Sequence, residues 1–382
     1  MFRSPIHPVS IQRFLMTMCS RFTDRLACAA LLLTASTAVH AQSPSADPYV
    51  AVEGWMDSFA PTGFTWGSQP GVFVESVDRI FVIQRGEIAV PDPLPEGWDT
   101  YVGSVGISAL GSTPVFNNCI FVVDSEGHVV ETWNQWDHLF EGTNGPHKIR
   151  ISPYDPARRV WVVNERRHQV HVFSNDGREL LMELGEAFVG GDDESHLGRP
   201  QDVAFLPDGS VVVADGLDNS RVAKFDASGK FLMAWGSRGA EDGQFNAVHA
   251  VATDSRGRVY VADRNNDRVQ VFDSNGVHLA TWGGLNFPND IFVTADDEVW
   301  VADNQSPQMV KFDTDGNRLY SWMLDTGPHR FGEVHELAVD SEGNWYGGDN
   351  VLGRTQKFVR RQGADPSTLI GAPIGLAGSP RR

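Results

Sequence analysis

A unit of about 40 residues recurs along this chain, and few folds can accommodate it. Its clearest copy, GQFNAVHAVATDSRGRVYVADRNNDRVQVFDSNGVHLATWG (243–283), holds four short runs of apolar alternation. These are AVHAVATD, RVYVAD, RVQVFD and VHLATW, separated by DSRG and DSNG turns. The signature VxVADxxxxxxVxxFDxxGxxLxxW returns at 211–236 and 299–322, with weaker copies at 160–180 and 344–358. Four strands cannot cover both faces of their own sheet, so the copies must pack radially around an axis. The expected fold is all-β: a six-bladed β-propeller of four-stranded blades.

The first blade falls at 71–133, with an insertion rich in Pro, Gly and Ser at 87–117 between its second and third strands. The next four blades begin near 146, 200, 248 and 288. The last begins at 334 and supplies three strands, ending near Phe358. Residues 49–67 resemble the tail of a repeat, so an N-terminal strand should complete this blade and close the ring. The propeller is thus expected over 42–360, followed by a flexible C-terminal tail at 361–382.

Residues 1–41 read as a cleaved export signal. Arg21 and Arg25 precede the apolar run 26–39, and Val39-His40-Ala41 offers small residues for cleavage. The run is too short to span a bilayer. Export to periplasm or medium is therefore expected, with no membrane contact after cleavage. Cys19 and Cys28 leave with the signal, and Cys119 alone permits no internal disulfide. The formal charge of −18 grows more negative without the four Arg and one Asp of the signal. Such an acidic surface excludes nucleic acid as a partner, because phosphate binding needs Lys and Arg.

The equivalent residue at the start of each inner strand is Gly71, His147, Gln201, His249, Asn289 and His335. The last five lie 54, 48, 40 and 46 residues apart, one blade each. Histidine occupies every second blade, so three imidazoles should face one another across the channel. Three neutral imidazoles with an open position form the ligand set of a catalytic zinc. Arg85 and Arg264 follow second strands at the same mouth and suit a substrate carboxylate. Asp215, Asp263, Asp303 and Asp349 recur whether or not their blade carries His, and are expected to fix loops. Trp133, Trp235, Trp282 and Trp322 fill one repeat slot as core. His128, His138, His168, His171, His196, His278 and His329 share no slot and read as surface residues. No GxSxG, GxxxxGK[ST] or HExxH segment is present.

The repeats resemble the NHL family, and over roughly 48–360 the chain is similar to the peptidyl-α-hydroxyglycine α-amidating lyases. The segments GPHKI, AVHAV and EVHEL match that family's zinc-binding histidines at His147, His249 and His335. VIQRG matches its catalytic arginine at Arg85, and VADR a further arginine at Arg264. The resemblance implies a structural calcium held by the carbonyls of Val72 and Ile149 and by Glu336, where the family has Asp. ADGLDNSR departs from the family's SDGYxNSR and puts Leu217 at its catalytic tyrosine. Glu333 replaces a family methionine, and the family's disulfides are absent.

The expected function is a zinc-dependent lyase that releases an amide and glyoxylate from a small or peptidyl α-hydroxy acid. The chain is expected to be a monomer. With no tyrosine at position 217, Asp218 and Glu333 are the candidate bases. Two other readings stay open: a metal-dependent hydrolase on the same propeller, and a non-catalytic NHL-repeat binding protein.

Overall fold

The inner strands are buried along most of their length, whereas the outermost strands alternate. Pro200–Phe205 is buried at every position, while Leu180–Leu184 shows every second side chain to solvent. This is the burial expected when sheets stack face to face and only their outer rims are wet. A computed structural model describes residues 47–56, 60–93, 113–305, 307–324 and 331–375. The expected signal, most of the 87–117 insertion and His329 lie outside the described residues. Among the described residues, no helix is long and apolar enough to cross a membrane.

Six four-stranded antiparallel sheets form the blades of a propeller. Their inner strands are Gly71–Ser76, Lys148–Ile151, Pro200–Phe205, Val248–Thr253, Pro288–Val293 and Val334–Val339, blades 1 to 6. Blade 6 takes its fourth strand from the N-terminus: Tyr49–Ala51 pairs with Arg354–Arg360 in the register Tyr49↔Arg360. The rest of the 49–67 segment behaves differently. Phe64–Trp66 pairs with Glu87–Ala89 in a separate two-stranded sheet built partly from the insertion.

Blades are locked to one another by aromatic contacts at the repeat signature. Trp133 meets Phe173 at 5.9 Å, Trp235 meets Phe272 at 6.0 Å, and Trp282 stacks on Phe312 at 5.4 Å. In each case the Trp comes from one blade and the Phe from the next. The turn glycine of the following blade lies beneath the Trp ring. A Cβ on Gly276 would come within 2.7 Å of Trp235, and one on Gly316 within 2.4 Å of Trp282. The repeating aspartates hold loops: Asp215 and Asp263 accept from Arg221 Nε and Arg268 Nε, each at 2.7 Å.

The expectation of a flexible tail from 361 onward is not met by its described part. Ile370 is fully buried, and Ala295 N donates to Ala372 O at 2.7 Å. Ile374 packs against the core between blades 4 and 5. Apolar side chains in that short segment find a partner surface that no local periodicity announces. His171 also departs from the surface reading. It is fully buried, with Nδ1 2.9 Å from Glu183 Oε1.

Candidate metal centre

In blades 2 to 6 the start of the inner strand is shaped to turn one side chain toward the axis. Two residues before the shared slot, the backbone is left-handed at Gly145, Arg199, Ala247 and Phe287. The slot residue itself is bulged in blades 3 to 6, because the ladder shifts register at Gln201, His249, Asn289 and His335. A bulge frees its residue from alternation and re-aims the side chain.

His147, His249 and His335 are buried, and one ring nitrogen from each lies within 4.8 Å of the others. Their ring centroids are 4.6 to 5.3 Å apart. The intervening blades orient the rings. His147 Nδ1 lies 2.7 Å from Gln201 O, His249 Nδ1 2.8 Å from Asn289 O, and His335 Nδ1 2.8 Å from Pro70 O. A carbonyl can only accept, so each Nδ1 carries the hydrogen and each Nε2 keeps its lone pair. Burial holds all three rings neutral, pushing His147 down to about 3 and the other two well below the ordinary range. Converging bare imidazole nitrogens, each fixed by a carbonyl, fit a metal cation of zinc type.

Both expected arginines feel the same two carboxylates. Arg85 Nε donates to Pro146 O at 3.3 Å, and Gly145 admits the approach, since a Cβ there would lie 2.8 Å from Arg85 Cα. Arg264 sits 4.6 Å over the Phe287 ring, and its Nε has no hydrogen-bond partner. Burial lowers the pKa of each guanidinium, against the opposing pull of Glu165 and Glu333. Glu333 Oε2 accepts from Asn350 Nδ2 at 3.0 Å, and Oε1 from Asn289 Nδ2. Asp218, by contrast, is exposed, with Arg199 Nη1 4.0 Å away.

Glu165 belongs to this site, and sequence reasoning missed it. Its Oε2 lies 3.9 Å from His147 Nε2, and its Oε1 is ion-paired with Arg199 Nη2. Burial opposes its charge, but the Arg85 and Arg199 guanidinium groups hold its pKa below the ordinary carboxylate value. Glu165 follows Val160–Asn164 just as Arg264 follows Val259–Asp263, and that shared position is the signal that could have found it.

Below the imidazoles, the residues do not fit a calcium ion. Glu336 Oε2 accepts from Val72 N at 3.0 Å and Ile149 N at 3.4 Å, and Oε1 is ion-paired with Arg150 Nη1. Val72 and Ile149 thus turn amide hydrogens toward the carboxylate. The cationic groups of Lys148 and Arg150 also occupy the neighbourhood.

The NHL repeat model matches 197–225 and 245–272. A Caenorhabditis elegans protein named "Probable peptidyl-alpha-hydroxyglycine alpha-amidating lyase pgal-1" is 40% identical over 129 residues, 33% of this chain and 36% of that protein. The chain is an NHL-repeat propeller similar to the amidating lyases. Mouse peptidyl-glycine alpha-amidating monooxygenase is 29% identical over 214 residues, 53% of this chain and 20% of its own length. This NHL-repeat chain therefore spans only about a third and a fifth of those relatives. A Staphylococcus aureus virginiamycin B lyase structure with quinupristin has a TM-score of 0.51 at 10% identity, covering 82% of this chain and 98% of its own. That likeness concerns the fold alone.

Proposed function

We propose that the protein is an exported zinc-dependent lyase that converts a peptidyl-α-hydroxyglycine-like substrate to an amide and glyoxylate. The observation that carries this reading is the three-histidine centre, with Arg85 and Arg264 in the field of the same two glutamates. The names of the similar proteins support the same chemistry. A zinc ion on His147, His249 and His335 would supply Lewis acidity that lowers the pKa of the substrate hydroxyl.

The protein's own groups do the rest. Arg85 and Arg264 bind the substrate carboxylate and orient the carbon–nitrogen bond. Glu165 Oε2, held ionised beside His147, accepts the hydrogen bond of the substrate hydroxyl. Glu333 balances the two arginines while its oxygens are held by Asn289 and Asn350. Overall, the C–N bond breaks with its electron pair going to nitrogen, a C=O bond forms, and the hydroxyl proton ends on the amide. Water is not consumed.

Bound-metal analysis should find about one zinc per chain, lost on replacing His249 by Ala. Glyoxylate release from a synthetic peptidyl-α-hydroxyglycine then tests the lyase. Zinc without glyoxylate release, but with cleavage of small esters or lactones, would favour a hydrolase instead. No bound metal would leave a binding protein.

A further inference from the structure

We propose that the channel carries its own structural cation: Arg150, with Lys148, ties the six blades together in place of a divalent ion, so the fold neither needs nor holds calcium. Three carboxylates converge below the histidines from three blades: Asp202, Asp290 and Glu336, all buried. Both cations come from the inner strand of blade 2, Lys148–Ile151.

The guanidinium reaches all three carboxylates. Arg150 Nε and Nη2 lie 3.1 and 3.0 Å from the two oxygens of Asp202, Nη2 is 2.8 Å from Asp290 Oδ1, and Nη1 pairs with Glu336 Oε1. Lys148 Nζ adds a 2.5 Å bond to Asp290 Oδ1 and lies 3.9 Å from Asp202 Oδ2. A planar cation with five donors suits this arrangement as a point charge would not.

The remaining contacts of the carboxylates complete the hub. Asp290 Oδ2 accepts from Leu337 N at 2.8 Å, and Asp202 Oδ2 from Val251 N at 3.3 Å. With Val72 N and Ile149 N on Glu336, every blade contributes at least one group. Holding blades around a common axis is the task a central ion would perform. Here it is done by side chains that are always present, since arginine cannot lose its charge in a protein. A divalent cation entering this cluster would have to displace Arg150 and would face Lys148 at close range.

The inference is independent of the lyase reading, and its test reads metal content and thermal stability rather than activity. The full chain is dialysed and its calcium measured. A variant with His147, His249 and His335 all replaced by Ala, in which the upper site cannot respond, is then melted with and without millimolar calcium chloride. The expected result is no retained calcium and no calcium-dependent shift in Tm. Arg150→Met removes the main counter-charge, and its Tm should fall by several degrees and recover in part with calcium. About one calcium per chain in the dialysed protein, or a Tm that rises with calcium while Arg150 is intact, would overturn the proposal. So would an Arg150→Met protein as stable as the parent. If that variant fails to fold, the calcium measurements on the parent chain still decide.

Discussion

Arg85 and Arg264 share two acidic neighbours, yet they are not equally anchored, and this sets their separate contributions. Arg85 is braced by Pro146 O and by the close approach at Gly145, whereas Arg264 keeps an unpartnered Nε over an aromatic face. Arg85→Ala should lower kcat/KM for glyoxylate release by about 100-fold with zinc content unchanged. Arg264→Ala should act mainly on KM. Glu165→Gln keeps the shape and removes the charge beside His147. We expect kcat to fall by about 10- to 100-fold, the scale of a charge-assisted hydrogen bond, with zinc still bound. Equal zinc and equal kcat in that variant would remove Glu165 from the chemistry. The histidines could be found from sequence because a repeat slot lines up residues that meet in space. Glu165 was not, because a single carboxylate at a strand exit looks like a solvated turn until neighbouring blades surround it.

Aromatic pairs join blade 1 to 2, 3 to 4 and 4 to 5, and the second strands of blades 3 to 6 end in a carboxylate that is costly to bury. Trp282→Ala removes the ring that stacks on Phe312 and overlies Gly316. A loss of about 3–5 kcal/mol is expected, read as a fall of several degrees in Tm. Asp303 and Asp349 give a pH signature of opposite sense to ordinary acid denaturation. Burial raises both to about 6, against the hydrogen bonds from Asn286 N to Asp303 and from Leu352 N and Gly332 N to Asp349. Their folded pKa values lie above the unfolded value of about 3.9, so between the two the folded state binds more protons. Stability from these groups therefore grows as pH falls through about 6, and is lost as pH rises through it. The Asp303→Asn, Asp349→Asn protein should show a steeper loss of stability on acidification between about pH 6 and 4, measured by urea titration at each pH. Strands were legible from sequence because alternation and turn residues repeat. The pairing of Phe64–Trp66 with Glu87–Ala89 was not, since it depends on a contact between an N-terminal segment and an insertion.

Ring closure joins the scaffold to the three-histidine site. Tyr49–Ala51 completes blade 6, Tyr49 OH accepts from Ile370 N at 2.9 Å, and its ring lies 5.9 Å from Trp322 and 6.2 Å from Trp345. On the channel side, blade 6 meets blade 1 through His335 Nδ1, which donates to Pro70 O, and Glu336, which receives Val72 N. The strand that closes the rim therefore holds in place the blade that supplies one of the three imidazoles. Deleting residues up to Ala51 would expose Arg354–Arg360 as an unpaired edge and remove the buried Tyr49 ring. The lost burial and hydrogen bonds amount to about 4–6 kcal/mol, enough to lower Tm by several degrees. An open edge also templates association, so the truncated protein should elute partly as larger species. Its zinc affinity should fall as well, because the blade that carries His335 is no longer held at the rim and the bond from His335 Nδ1 to Pro70 O is less firmly fixed. Melting, size-exclusion chromatography and zinc titration of the same preparation separate these effects. If the truncated chain melts and binds zinc like the parent, closure at the rim is not what positions the third histidine.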